Sequence, residues 1–183
     1  MKKFPFFVLA VIACISIISC KSEEETWEKY ADWREINNEW LKEQENLTVD
    51  GELFYEKLTP NYDKGNYILV HWFNDREETK NNRQPYYTST VDVKYIGRLY
   101  NDEPFDSSYN NTTYGDSIFR TQVNGVIAGW TAVLQQMHIG DSVEVVIPYQ
   151  SAYGASSSGI INPYSNLKFN IKLVDIPYWE AKP

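Results

Sequence analysis

Between residues 91 and 110 the chain reads VDVKYIGRLYNDEPFDSSYN, and an aromatic and a carboxylate stand side by side at Phe105-Asp106. Apolar residues alternate through Val91, Val93 and Tyr95, Gly97 follows, and a polar turn separates this run from the pair. A carboxylate against an apolar wall can hold a neighbouring donor by a charge-assisted hydrogen bond. The plainer reading makes Phe105 ordinary core and Asp106 the cap of a turn. Other chemistry has little to work with. His71 and His138 fall in no zinc-binding or triad pattern, and no other nucleophile set is visible. No metal or cofactor is expected. What the chain offers is aromatic faces, hydroxyls and a carboxylate, in particular Tyr95, Phe105, Asp106, Trp130, Tyr153 and Phe169.

Strand and helix periodicities place these residues. STVDVKYIGRLY ends at an Asn101-Asp102 turn and reads as a strand. SIFRTQV (117–123) is a second strand, and Asn124-Gly125 turns into VIAGWTAVLQQM, where Val126, Ile127, Trp130, Val133, Leu134 and Met137 share one helical face. Gly140 follows and can stop that helix in the left-handed conformation. DSVEVVIP (141–148) alternates, 149–166 is a long loop of small residues, and LKFNIKLVDI (167–176) alternates again. One short helix against several antiparallel strands predicts an α+β domain.

Upstream, residues 27–47 contain no Gly or Pro, and Trp27, Tyr30, Trp33, Ile36 and Trp40 recur at helical spacing. This predicts an amphipathic helix whose aromatic stripe packs on the rest of the protein. The same stripe could instead pair with a second chain or lie on a bilayer, although anionic lipid repels a Glu-rich helix. LFYEKL (53–58) and YILVHWF (67–73) read as strands. The polar run 74–85 sets a boundary near 85, across which those strands could still join one sheet.

The N-terminus reads as an export signal over 1–19. Lys2 and Lys3 precede an uncharged run from Phe4 to Ile18, too short for a comfortable membrane span. The run closes in Ser19-Cys20, which resembles a bacterial lipobox with Cys20 as the lipidation site. Multiple acyl chains would hold the protein on a membrane. The alternatives are an ordinary signal peptide with an incidental Cys, or an uncleaved anchor. Lys21-Ser22-Glu23-Glu24-Glu25 resembles the export signals of Bacteroidetes surface lipoproteins, and it also fits a solvated tether. Cys14 and Cys20 are the only cysteines, so the mature chain would hold no disulfide. Net charge is −8, and losing Lys2 and Lys3 makes the remainder two units more negative. An acidic body argues against nucleic acid as a partner. Roughly 160 residues remain, enough for one domain (86–183) preceded by an acidic tether, helix and strands (20–85).

Four pieces stand in a telling order: Val-x-Val-x-Tyr-x-Gly-x-Leu (91–99), Phe105-Asp106-Ser107-Ser108, Val126-Ile127-Ala128-Gly129-Trp130, and Ile147-Pro148 through Ala152-Tyr153-Gly154 to Gly159-Ile160-Ile161. With the closing Leu167-x-Phe169-x-Ile171-x-Leu173, they resemble an FKBP-type peptidyl-prolyl isomerase over roughly residues 86–176. The resemblance implies an antiparallel sheet wrapped on one short helix, with a pocket between them. Its wall would be Tyr95, Phe105, Asp106, Val126, Ile127, Trp130, Tyr153 and Phe169, with Phe119 and Ile161 as further contacts. Trp130 would form the floor. The Ile127 N–H and the Tyr153 hydroxyl would bond substrate carbonyls, and Asp106 would fix Tyr95 or a neighbouring donor.

The chemistry fits such a site. An Xaa-Pro bond turns slowly, over a barrier of about 18–20 kcal/mol. As the bond twists, resonance is lost and the carbonyl becomes less polar. A dry, apolar pocket then binds the twisted state better than the planar one, which is catalysis by differential binding. The implied partners are proline-containing polypeptides, a membrane through the anchor, and a macrolide ligand such as rapamycin. The alternative function is an FKBP-like peptide-binding module or chaperone with weak or no turnover. Two departures bear on the loop over the pocket: Asn162 replaces the first of two usual prolines, and SSSG is short. Both predict a looser loop. Asp102 replaces a turn Gly, and Asp tolerates the left-handed conformation.

Overall fold

The computed structural model describes residues 23–60 and 63–178. The expected signal segment over 1–19, Cys20 and the residues after 178 lie outside the described residues. Helical turns over 23–29 lead through Tyr30 into helix α1 (Ala31–Glu45). Strands β1 (Thr48–Val49) and β2 (Glu52–Leu53) form a small exposed hairpin about the predicted turn, with Asp50 and Gly51 both at positive φ. The predicted strand 53–58 is interrupted: Phe54 N–H bonds Leu47 O, and pairing resumes as β3 (Glu56–Leu58). Next come β4 (Ile68–Trp72), a single turn α2 (Arg76–Thr79), β5 (Thr90–Arg98), β6 (Pro104–Ser107) and β7 (Phe119–Gln122). Helix α3 (Ala128–Leu134), β8 (Ser142–Ile147) and β9 (Leu167–Tyr178) complete the chain.

Among the described residues the main sheet has seven strands in the order β3-β4-β8-β9-β5-β6, with β7 also paired to β5. Every pairing is antiparallel. Strands β3 and β4, which precede residue 85, thus lie in the same sheet as the rest. β4 is buried on both faces. Ile68 and Val70 enter the main core with α3, while Leu69 joins Tyr55 and Val146 on the other face. Trp40 and Leu41 of α1 cover that second cluster. This two-sided burial explains the unbroken apolar run Ile68-Leu69-Val70, which a half-exposed strand would not carry.

Helix α1 docks as the aromatic stripe predicts, with a shifted face. Ile36 is 42% exposed, whereas Asn37 is fully buried. Trp33 packs against the main core and stands edge-on to Tyr100, with ring centroids 5.4 Å apart. Helix α3 is shorter than its apolar pattern. Ile127 has ψ 151 and stays outside the helix, and after Leu134 the bonds tighten to Gln136 N–H to Val133 O and Met137 N–H to Leu134 O. Gly140 does sit at φ +99, but it opens the turn into β8 rather than ending α3.

Candidate active site between β5, β6, β7 and α3

The outer edge of β5 is shared by two strands. Residues Thr90–Val93 pair with β7, and Ile96–Arg98 pair with β6. Phe119 of β7 stands near Tyr95 with ring centroids 5.5 Å apart, and Phe105 of β6 lines the same cavity. The four-residue run Phe105-Asp106-Ser107-Ser108 is built around Tyr95. The Tyr95 hydroxyl donates to Asp106 Oδ2 at 2.6 Å. The Tyr95 N–H donates to Ser108 Oγ at 2.9 Å, and Ser108 N–H donates to Tyr95 O at 3.0 Å. Asp106 Oδ1 accepts from Ser107 N–H at 2.8 Å. Burial, reinforced by the bond to Asp106 and its negative charge, pushes the Tyr95 phenol well above its ordinary pKa. Tyr95 therefore remains a protonated donor, locked onto one acceptor.

Tyr95, Phe105, Asp106, Phe119, Val126, Ile127, Trp130, Tyr153 and Phe169 line one cavity of about 430 Å³. This size suits a proline ring and its neighbours. Trp130 lies beneath, edge-on to Tyr95 (4.9 Å, 87°) and to Phe169 (5.3 Å, 86°). Its Nε1–H is buried with no acceptor among the described residues, so the ring contributes shape rather than a hydrogen bond. Ile127 lines the cavity at the start of α3, and its N–H donates to no described protein group. Tyr153 stands at the rim, 38% exposed, with its hydroxyl in no hydrogen bond among the described residues. Ile161 is placed differently. It is 4% exposed within the main core and is not among the cavity's lining residues. Gly125, which sequence reasoning passed over, does line the cavity. Its only signal was its place in the Asn124-Gly125 turn.

Gly97 explains itself only in three dimensions. It faces both Asp106 and Phe169 in the sheet. A Cβ here would lie 2.6 Å from Phe105 Cζ and 2.7 Å from Phe169 Cε1. The missing side chain lets those two rings meet edge-on at 5.5 Å and 90°. Gly97→Ala is expected to cost about 1–3 kcal/mol by overpacking and to displace Phe105 from the wall. Denaturant unfolding reads the first effect and ring chemical shifts of Phe105 the second. Unchanged shifts would show that the wall does not depend on this close approach.

An antiparallel sheet closed on one short helix, with an aromatic cavity between them, defines an FKBP-like α+β domain. A family model described as FKBP-type peptidyl-prolyl cis-trans isomerase matches residues 81–174, half of the chain. The chain belongs to that family. A macrophage infectivity potentiator from Trypanosoma cruzi is 41% identical over 95 residues, which are 51% of this chain and 46% of that protein. The FKBP-type peptidyl-prolyl cis-trans isomerase FkpA of Escherichia coli is 39% identical over 100 residues, 52% of this chain and 35% of that protein. The chain thus matches less than half the length of these curated relatives. A crystal structure of a peptidyl-prolyl cis-trans isomerase from Pseudomonas syringae superposes with TM-score 0.59 at 26% identity, covering 77% of this chain and 92% of the other. The FkpA crystal structure gives TM-score 0.63 at 24% identity, covering 97% and 75%, and speaks to the fold alone.

Proposed function

We propose that this chain is a peptidyl-prolyl cis-trans isomerase that assists the folding of exported proteins. The observation that carries this reading is the single cavity in which Trp130, Phe169, Phe105 and Phe119 meet the Tyr95–Asp106 pair. A proline ring enters over Trp130. The Ile127 N–H and the Tyr153 hydroxyl hold flanking carbonyls, and Asp106 keeps Tyr95 fixed at the wall. The apolar surround favours the twisted imide, so the bond turns with no covalent intermediate. Family membership supports the same reading.

Tyr153→Phe tests the rim donor. Losing one hydrogen bond of about 0.5–1.5 kcal/mol lowers kcat/KM roughly two- to twelvefold, with the fold intact by circular dichroism. An unchanged kcat/KM would remove the hydroxyl from the mechanism. On this reading a macrolide such as rapamycin would also bind at this cavity, and it should quench Trp130 fluorescence and shift nearby resonances. No change on titration would count against an open pocket.

Export and anchoring complete the proposal. Lys2-Lys3, the apolar run and Ser19-Cys20 support cleavage before Cys20 and acylation of its thiol. The relative named outer membrane protein MIP from Legionella longbeachae, 38% identical over 94 residues, is consistent with a place at a membrane. Among the described residues no helix is long and apolar enough to cross one. Metabolic labelling with palmitate, lost in Cys20→Ala, tests the anchor.

A further inference from the structure

We propose that helix α1 is a positioning element of the cavity, acting through Asn37 on the loop that carries Tyr153. The catalytic arm of this proposal rests on the isomerase reading; the structural arm does not.

Asn37 lies in the interior of α1 and is fully buried. Asn is a poor helix former, and a buried amide costs free energy unless it is paired. An apolar side chain would dock the helix more cheaply. Here every polar atom of the amide is used. Asn37 Nδ2 donates to Trp33 O at 2.9 Å, and Asn37 Oδ1 accepts from Asn166 N–H at 3.0 Å. Asn166 Nδ2 in turn donates to Asn37 O at 2.7 Å. Asn166 is also fully buried, and its Oδ1 accepts from Tyr149 N–H at 2.8 Å. One side chain therefore joins both ends of loop 149–166 to the helix.

Other contacts from the same helical segment reach the same loop. Trp33 Nε1–H donates to Ser165 Oγ at 3.0 Å, and Ser165 Oγ–H donates to Asn162 O at 2.7 Å. Trp27 stands edge-on to Tyr164 at 5.2 Å, with the Arg34 guanidinium 3.1 Å above the Trp27 ring. Tyr164 is buried with φ +63, a conformation that costs a non-glycine residue about 1–2 kcal/mol. Such strain persists only where the surroundings over-determine it. Tyr164 N–H crosses the loop to Gly154 O at 2.8 Å, and Gly154 N–H bonds Tyr149 O at 2.9 Å. Tyr153 at the cavity rim is thus next to Gly154, which is bonded to Tyr164 and Tyr149; Tyr164 meets Trp27 and Arg34 of the N-terminal helical segment, and Tyr149 is tied through Asn166 to Asn37 of α1. Directional bonds set the loop's register in a way that apolar docking cannot. They also stand where the sequence lacks the first of the usual prolines, so the loop is fastened from outside the family domain.

Hydrogen–deuterium exchange of the full chain in detergent, with Asn37→Ala, Asn166→Ala and the double variant, tests this. Peptides covering 150–164 should exchange about tenfold faster in each variant while those of β9 stay unchanged. The double variant should exchange faster than either single one, because Asn37→Ala removes the acceptor of Asn166 N–H whereas Asn166→Ala removes the bonds to Asn37 O and from Tyr149 N–H. On a proline peptide, kcat/KM should fall roughly three- to tenfold, mostly through KM, at temperatures where all the proteins are folded. Loop exchange equal to the parent's, or rising in step with β9, would overturn the proposal, since either means that Asn37 serves global stability alone. If the parent itself fails to accelerate Xaa-Pro exchange, the isomerase reading falls, and loop exchange by itself decides whether α1 positions the rim.

Discussion

Trp130→Ala should lower stability by about 3–5 kcal/mol and reduce kcat/KM on a proline peptide by roughly tenfold or more, about 1.4 kcal/mol of transition-state binding per tenfold. The ring is 4% exposed and is gripped edge-on by Tyr95 and Phe169. Its removal opens a cavity beneath the one already present, and the two aromatic neighbours lose the surface that orients them. The two effects separate in Trp130→Leu, which keeps much of the volume without the flat floor. That variant should be clearly more stable than Trp130→Ala, yet remain impaired in kcat/KM. Urea unfolding and prolyl exchange on the same samples read both quantities. A Trp130→Leu protein with parental kcat/KM would mean that the floor needs only bulk and that ring shape contributes nothing.

The second large effect lies outside the cavity's lining, at Asp141. Asp141 is fully buried at the turn into β8 and gathers several segments. Its carboxylate accepts from Asn74 Nδ2 at 3.0 Å, from the Thr79 hydroxyl and from His138 N–H at 2.8 Å, with Arg76 Nε 3.5 Å away. Burial alone would raise its pKa, but these donors outweigh that and hold it below the usual carboxylate range. Asp141→Ala leaves buried donors unpaired and should cost about 3–5 kcal/mol. The pH dependence has a fixed sign. A folded-state pKa below the unfolded one gives stability that is fully present above about pH 4 and is lost as pH falls toward the folded value. The stability gap between the parent and Asp141→Asn should therefore narrow on acidification. A gap that widens with acid would show that Asp141 is folded in its protonated form.

Much of this architecture is written in local pattern. The alternation Val91, Val93, Tyr95 and the alternation Leu167, Phe169, Ile171, Leu173 give strands β5 and β9, which pair along most of their length. The Asp102 turn holds at φ +63, as a residue tolerant of that conformation allows. The Tyr95–Asp106 bond joins residues only a hairpin apart, so the sequence brings them within reach. What was illegible depends on long-range pairing. β4 meets β8 across about seventy residues, and no local period predicts that the strands before 85 complete the same sheet. Asn37 carried no signal at all: one amide in a polar helix looks solvated until Asn166 is seen against it. Ile161 illustrates the opposite case. It shares a motif with Tyr153, which lines the cavity, but it pairs with Ser158 in an isolated bridge and lies in the core.

Whether this aromatic cavity turns Xaa-Pro bonds is read by exchange spectroscopy on a short Phe-Pro peptide. Uncatalysed exchange takes tens to hundreds of seconds, so catalysis is unmistakable. The parent protein should accelerate the exchange, and both Tyr153→Ala and Asp106→Ala should lose that acceleration with the fold preserved. A well-folded parent that leaves the exchange rate unchanged would contradict the isomerase reading.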